Sequence, residues 1–552
     1  MSNEKKGKLR KLVIFAIAMG LCITAIQIGA MSTTNISSAS ENKTPRCIFK
    51  RVDNFQPQRI TKNLIPESFD KVGLLGTDVL IYGSKDEGII CQNPTIAADV
   101  AQKALIGFEV WPNSFTPPDP YFRYSNDDGK TWLPEDGVTG WSLTEQDYDS
   151  ILPKIDFAGD KGGFGAVLPF GQNNWMTFNF PDISDPEAGE TWLANGWLAD
   201  VMMEEWHSCD VCGVNSEFAP SVDAFGLAIW TGDTIDGGDN GLWYGWETSE
   251  GSEFVVYPDE SDPGYDFEAD QAVNDVDLST GMYYQAFYRY DDVGADPLPD
   301  GVFLRGVQLD DTDQWVESWT TSYNIPNVEH PDIKADSGNC YLVYETWYGI
   351  ECLYSNDNGN TFQTSEVALN GNYPSVTSID ENVVVSFVRD GDLYTALSDD
   401  SGATWIEKPP VNDVSGSVVE QDHGADVSSR HIVWSDNRED DKYLGIYYDQ
   451  ASFPVPVIEI ESISGGFGVS AVVANVGTAD AVDLQWSIDL EGGLILIGKN
   501  KEGTIPILAA GNSETVKSGL VFGFGKTTIQ VTAGGVTQTA EGTVLGPFLI
   551  GI

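Results

Sequence analysis

The stretch YSNDNGNTF, residues 354–362, has the residue types of a cation-binding loop. An EF-hand loop reads D-x-[DN]-x-[DN]-G, with a glutamate six positions beyond the glycine. Counting back from Gly359 puts Tyr354 at the first ligand position, and Glu366 falls one residue late. The loop fails as an EF-hand. A second candidate, WHSCDVCG, offers His207, Cys209 and Cys212 as zinc ligands. No second C-x-x-C or nearby H-x-H completes a tetrahedral set, so a local disulfide or free thiols is expected, and no metal or cofactor is assigned. Serine-hydrolase chemistry is not signalled, because there is no G-x-S-x-G and the four histidines lack a triad context.

Composition narrows the function further. A formal charge of −54 over 552 residues repels phosphate backbones, so nucleic acid is not an expected partner. Lys5, Lys6, Lys8, Arg10 and Lys11 precede the apolar run LVIFAIAMGLCITAIQIGA, the layout of a secretory signal over residues 1–31 or of an uncleaved anchor. Either reading exports the rest, through a linker at 32–65, to the cell surface or beyond, with membrane contact only if the segment is retained. Beyond Cys22 the cysteines are Cys47, Cys91, Cys209, Cys212, Cys340 and Cys352, an even number that favours disulfides in an exported protein.

The opening stretch is one of several. YSNDDGKTW (124–132) carries Ser125, Asp127, Gly129, Thr131 and Trp132. YSNDNGNTF carries Ser355, Asp357, Gly359, Thr361 and Phe362, and LSDDSGATW (397–405) carries Ser398, Asp400, Gly402, Thr404 and Trp405. A degenerate copy stands at 185–192. A second element, P-x-[IV] followed by an alternating apolar run, starts at Pro94, Pro153, Pro220, Asn274, Pro331, Pro374 and Ala425. Units about 40–70 residues long, each with room for four short strands, are the signature of β-propeller blades. With 57 glycines and no helical periodicity after residue 31, the chain is expected to be all-β. The seventh unit lacks a fourth strand, which DVLIYGS at 78–84 could supply to close the ring.

The S-x-D-x-G-x-T-[WF] motif resembles the Asp-box, or BNR repeat, of sialidase-like β-propellers, over roughly residues 66–453. The resemblance implies four-stranded blades and places the motif in the turn between the third and fourth strands; the seven recurring starts favour seven blades, with six as the alternative. That turn lies away from the family's active site, which makes its aspartates structural. Residues 457–552 change character and resemble an Ig-like β-sandwich with a spacing or attachment role.

On the opposite face, the ends of second strands and the entrances to first strands gather the ligand-binding candidates. These are Glu109, Trp111, Trp230, Arg289, His330, Glu345, Trp347, Arg389, His423, Trp434, Asp436 and Arg438. Tryptophan faces beside carboxylates and arginines suit sugar rings. The family's catalytic set is an arginine clamp on the substrate carboxylate, a Tyr–Glu nucleophile pair and an aspartate. Arg289, Arg389 and Arg438 could form such a clamp, but the early Arg-Ile-Pro signature is missing and no Tyr–Glu pair is assigned. The expectation is a non-catalytic exported propeller that binds a glycan or a cell-surface protein. A divergent exo-sialidase-like glycoside hydrolase is the alternative.

Overall fold

The run NVVVSFVR forms the strand Asn382–Arg389, and its six central residues are all buried. A strand reads this way when its sheet is covered on both faces, so that neither side needs a polar row. In the computed structural model, the described residues are 78–552 apart from 84–89, 99–102, 112–118, 134–138, 141–152, 158–163, 171–173, 181–196, 201–202, 216, 219–225, 235–240, 249–250, 258–267, 291–298, 310–320, 380–381, 441–442, 452–455 and 478. The N-terminal signal or anchor, the linker, Cys47 and the degenerate motif at 185–192 lie outside them.

Among the described residues the chain folds into strands and turns. Seven antiparallel sheets of four strands succeed one another. Their first strands are Ile90–Ala98, Lys154–Phe157, Met203–Gly213, Glu268–Val276, Glu329–Asp336, Asn372–Ile379 and Ala425–Ser428. Each first strand contacts the next in order, and the last contacts the first, so the sheets form a closed ring of β-propeller type with these strands innermost. The N-terminal strand Val79–Tyr82 is the outermost strand of the seventh sheet, paired with Tyr443–Gln450. Arg123 of the first sheet secures it by donating to the Ile81 carbonyl at 2.6 Å and to the Trp132 carbonyl at 2.9 Å.

Each innermost strand is a sheet edge, and its outward N–H groups need acceptors. Side chains of the preceding sheet supply them. Asp156 accepts from Gly213 N–H (2.9 Å), Asp210 from Asn274 (2.9 Å), Asp275 from Ala335 (2.6 Å), Asp332 from Val376 (2.7 Å) and Asp426 from Ile96 (2.8 Å). Between the sixth and seventh sheets hydroxyls do the same, with Thr377 Oγ1 accepting from Ser429 N–H at 2.9 Å. The ring is thus joined sheet to sheet by side-chain-to-backbone bonds.

The three S-x-D-x-G-x-T turns connect third and fourth strands and share one hydrogen-bond set. Ser125, Ser355 and Ser398 accept through Oγ from the glycine N–H four residues on, at 2.8–3.0 Å. Asp127, Asp357 and Asp400 accept from the threonine N–H and hydroxyl at 2.7–2.9 Å. Burial would raise the Asp357 carboxyl, but the bonds from Thr361 and Ser355 outweigh it and hold the group below its usual range. The glycines lie in the left-handed region, and a Cβ on Gly129 or Gly359 would strike Tyr448 or Tyr284 of the preceding sheet. The closing aromatics reach the same preceding sheets: Trp132 meets Tyr448 edge-on at 4.9 Å, and Phe362 meets Tyr323 at 4.8 Å. Trp405 instead donates its indole N–H to Ser365 Oγ at 2.8 Å.

The cysteines correct one expectation. All five described cysteines are free and buried. Cys209 and Cys212 stand three apart on the strand Met203–Gly213, opposite Trp230 and Leu227 respectively. An odd spacing on a strand sends the two side chains to opposite faces, where they can share neither a disulfide nor a metal with one another.

Residues 458–550 form a three-stranded sheet and a six-stranded sheet around one apolar cluster that includes Ile460, Val473, Ile488, Leu490, Ile529 and Val544. Two expected outcomes test this architecture. Asp357→Ala should lower stability by roughly 1–2 kcal/mol in chemical denaturation while leaving ligand binding by the folded protein unchanged. Deleting the strand Val79–Tyr82 should make the ring melt early. A truncated protein with the full-length melting curve would count against closure by this strand.

Candidate functional site at the mouth of the ring

The antiparallel order of each sheet puts the S-x-D-x-G-x-T turns at one end of the ring. At the other end lie the exits of the second strands and the entrances of the innermost ones. Just before four of those innermost strands settle into register, the chain passes through positive φ at Asn93 (51°), Gln271 (51°), His330 (51°) and Tyr373 (52°). Each coincides with a register shift against the second strand. Such bulges re-aim a side chain, and non-glycine residues at positive φ hold strain that the surrounding structure must compensate. Here the re-aimed side chains gather around the axis.

Asn93 donates to Glu109 at 2.9 Å, and Trp111 donates its indole N–H to the same carboxylate at 3.1 Å. His330 Nδ1 lies 3.1 Å from Glu345 Oε2, and that oxygen also accepts the Tyr373 N–H at 3.1 Å. The His330 ring meets Tyr373 edge-on at 4.7 Å, and its backbone N–H is held by Gln271 at 2.7 Å. Burial alone would lower the His330 pKa, but the Glu345 bond and the charges of Asp422, Glu345 and Glu329 raise it above the usual value. Burial raises Tyr373, and Glu345, Asp422, Glu420 and Glu329 push it the same way. The mouth therefore carries a negative field.

Below the mouth stands a layer with one cation. Lys154 of the second sheet feels the carboxylates of Asp210, Asp426 and Asp332, from the third, seventh and fifth sheets, so these groups converge on the axis. Its Nζ lies 3.0 Å from His423 Nδ1, an ammonium donating to a neutral imidazole. Burial pushes His423 down to about 4, Asp210 up to about 8 and Asp332 up to about 6. A second layer repeats the arrangement, with Lys334 bonded to Asp275 at 3.0 Å and feeling Asp156.

The sequence candidates divide into four groups. His330 and Glu345 meet at the mouth, and His423 sits just below it on Lys154; Glu109 is 1% exposed and bonded to Asn93 and Trp111, which corrects its assignment to a ligand face. Trp230 and Trp434 are 1% and 0% exposed, which corrects their assignment to a ligand face, since their rings fill the core. Arg389 pairs with Glu407 at 2.5 Å and stacks over Tyr394. Arg438 pairs with Asp436 and Asp78 and stacks over Tyr447. These two arginines share no partner, and each is taken up by carboxylates of its own sheet. Arg289 is buried. Trp347 is 93% exposed and Tyr348 73%, both in the turn that follows Glu345. That turn is fixed by Thr346 Oγ1, which donates to the Gly349 carbonyl (2.9 Å) and accepts from Tyr348 N–H (3.2 Å). Sequence reasoning missed Asn93, Gln271, Tyr373, Lys154, Asp210, Asp332 and Asp426. For all but Asp210 the available signal was their place inside or just before the recurring P-x-[IV] element; the third such element was expected at Pro220, whereas the innermost strand of that sheet is Met203–Gly213.

No family model matches the chain, and no curated protein matches it. Solved structures similar to it include the NanB sialidase from Streptococcus pneumoniae, with TM-score 0.38 and 14% identity over 68% of this chain and 71% of that one. A Trypanosoma rangeli sialidase in complex with the inhibitor DANA matches with TM-score 0.33 and 10% identity, over 83% of this chain and 89% of that one. The polysaccharide lyase Uly1 matches with TM-score 0.40 and 7% identity, over 62% and 87%. At such values the similarity says nothing of activity, and the site is read from its own residues.

The axial layer gives a pH prediction. An ordinary aspartate titrates near 4. Asp210 and Asp332 are raised when folded, so their contribution to stability is full below about pH 4 and is lost as pH rises through about 6 to 8. The melting temperature should fall between about pH 5 and 9, and Asp210→Asn should remove the part of that fall nearest pH 8. Superimposable wild-type and variant pH profiles would refute the assignment.

Proposed function

We propose that this protein is an exported, non-catalytic propeller of seven blades that binds a neutral, hydroxyl-rich ligand at the mouth of its ring, a glycan on its own or on a cell-surface protein. The observation that carries the reading is the Trp347–Tyr348 turn. Large aromatics are seldom left this open on a pinned turn, and a flat apolar face with hydrogen-bonding groups beside it is what the C–H face and hydroxyls of a sugar require. Glu345 and His330 provide such groups. The negative field at the mouth, together with the carboxylate pairing of Arg389 and Arg438, disfavours an anionic sugar. We read the S-x-D-x-G-x-T turns as Asp-boxes and residues 457–552 as an Ig-like module. The cross-strand row Leu494, Phe524, Leu545 and Phe548, each 44–60% exposed, supports an attachment role for that module.

One observation supports the alternative of a divergent sialidase-like hydrolase: Glu345 and Tyr373 adjoin one another at the mouth, the residue types of the family's nucleophile pair. A fluorogenic sialoside panel separates the two readings, with no turnover expected. For the binding reading, the strongest hit on a glycan array is titrated against the wild type and Trp347→Ala. The variant should bind about 1–3 kcal/mol more weakly and melt with the wild type. Normal binding by the variant would remove the aromatic turn from the site.

A further inference from the structure

Glu329 and Glu345 stand directly opposite each other in the antiparallel register of the fifth sheet. Like charges in that register repel and destabilise the pair. Among the described residues, Glu345 has His330 as its one ion-pair partner and Glu329 has none. Asp422 and Glu420 add further negative charge nearby. The chain has nonetheless placed an imidazole within reach of both carboxylates, at a backbone position of positive φ. One donor atom from each of Glu329, His330 and Glu345 lies within 4.8 Å of the other two.

We propose that Glu329, His330 and Glu345 form a site for a first-row divalent cation of the zinc class. Three features converge on it. The first is the donor set, because an imidazole with two carboxylates suits Zn²⁺ better than Ca²⁺ or Mg²⁺, which favour oxygen alone. The second is spacing. Two ligands on one such ion, each about 2.1 Å from it at tetrahedral to octahedral angles, stand about 3.0–3.4 Å apart. His330 Nδ1 and Glu345 Oε2 stand at 3.1 Å. The third is the supporting shell. The Tyr373 N–H fixes Glu345, the Tyr373 ring abuts the imidazole, and Gln271 holds the His330 backbone. Metal ligands are commonly oriented by partners of this kind. The cation also relieves the facing carboxylates, which the register otherwise leaves in repulsion.

Three protein ligands leave at least one coordination position open. Glu329 is exposed to solvent, and Glu345 stands two residues before Trp347 in the chain. Resting on the glycan reading above, the open position takes a sugar hydroxyl while the aromatic turn takes the ring face.

The experiment separates the two claims. Untagged full-length protein is stripped with a chelator and titrated with Zn²⁺ alone, by calorimetry and by equilibrium dialysis with metal analysis. One equivalent should bind, and His330→Ala and Glu345→Gln should each weaken it at least about tenfold. Melting curves of both variants confirm folding. Should either fail to fold, Co²⁺ loaded into the wild type gives an independent reading, because nitrogen and oxygen ligation lacks the thiolate charge-transfer band that cysteine ligation would show. Absence of stoichiometric binding, a thiolate spectrum, or unchanged affinity in folded variants overturns the site. These metal measurements use no sugar, so their failure leaves the aromatic turn untouched. Repeating the glycan titration with chelator then tests the hydroxyl contact, and binding that is indifferent to chelator overturns that part.

Discussion

The structure depends on how the innermost strands satisfy their exposed edges. In a closed ring of sheets each innermost strand has no ladder partner on its axial side, and unpaired N–H groups there would be costly. Aspartates of the preceding sheet accept them, at Asp156, Asp210, Asp275, Asp332 and Asp426. The same bonds set the spacing and rotation between sheets. They also gather acidic groups where solvent is scarce, which makes Lys154 and Lys334 structural necessities and pushes several carboxyls upward in pKa. The electrostatics of the axial layers thus follow from how the ring is joined.

The mouth is built by the bulges just before the innermost strands. A regular strand would alternate its side chains between the two faces of its own sheet. The extra residue breaks that alternation and directs His330, Asn93 and Tyr373 toward the second-strand exits, where Glu345 and Glu109 wait. Backbone strain at these positions is held by the bonds from Gln271 and Glu345. The rigid Thr346–Gly349 turn then adds an aromatic surface beside the polar group.

The repeating motifs made the all-β character and the ring legible, because turn chemistry and strand alternation are local. The pairing of Glu345 with His330 was half legible, since both residues were placed at one end but nothing local fixed their register. Trp230 and Trp434 misled for the same reason. A tryptophan near a strand exit reads alike whether its ring faces solvent or the next sheet, and only the packing of neighbouring sheets decides. The axial layer was invisible as chemistry, because its members come from the second, third, fifth and seventh sheets and share no sequence neighbourhood. The cysteines were misjudged where their count was weighed above the strand periodicity that separates Cys209 from Cys212.

Six of the seven sheets draw their strands from one continuous stretch of chain, so each can assemble as soon as its own stretch has been synthesised. The seventh cannot. Its outer strand begins just after Asp78, which pairs with Arg438 across 360 residues of sequence. Among the described strands, the first one made is therefore the last one used in the ring. Until the seventh sheet's own strands exist, Val79–Tyr82 remains an unpaired edge and the growing array stays open at both ends. Contacts of such long sequence separation form slowly and leave edges exposed in the interval. Ring closure sets the time during which a newly made chain is most vulnerable to pairing with a neighbour instead of with itself.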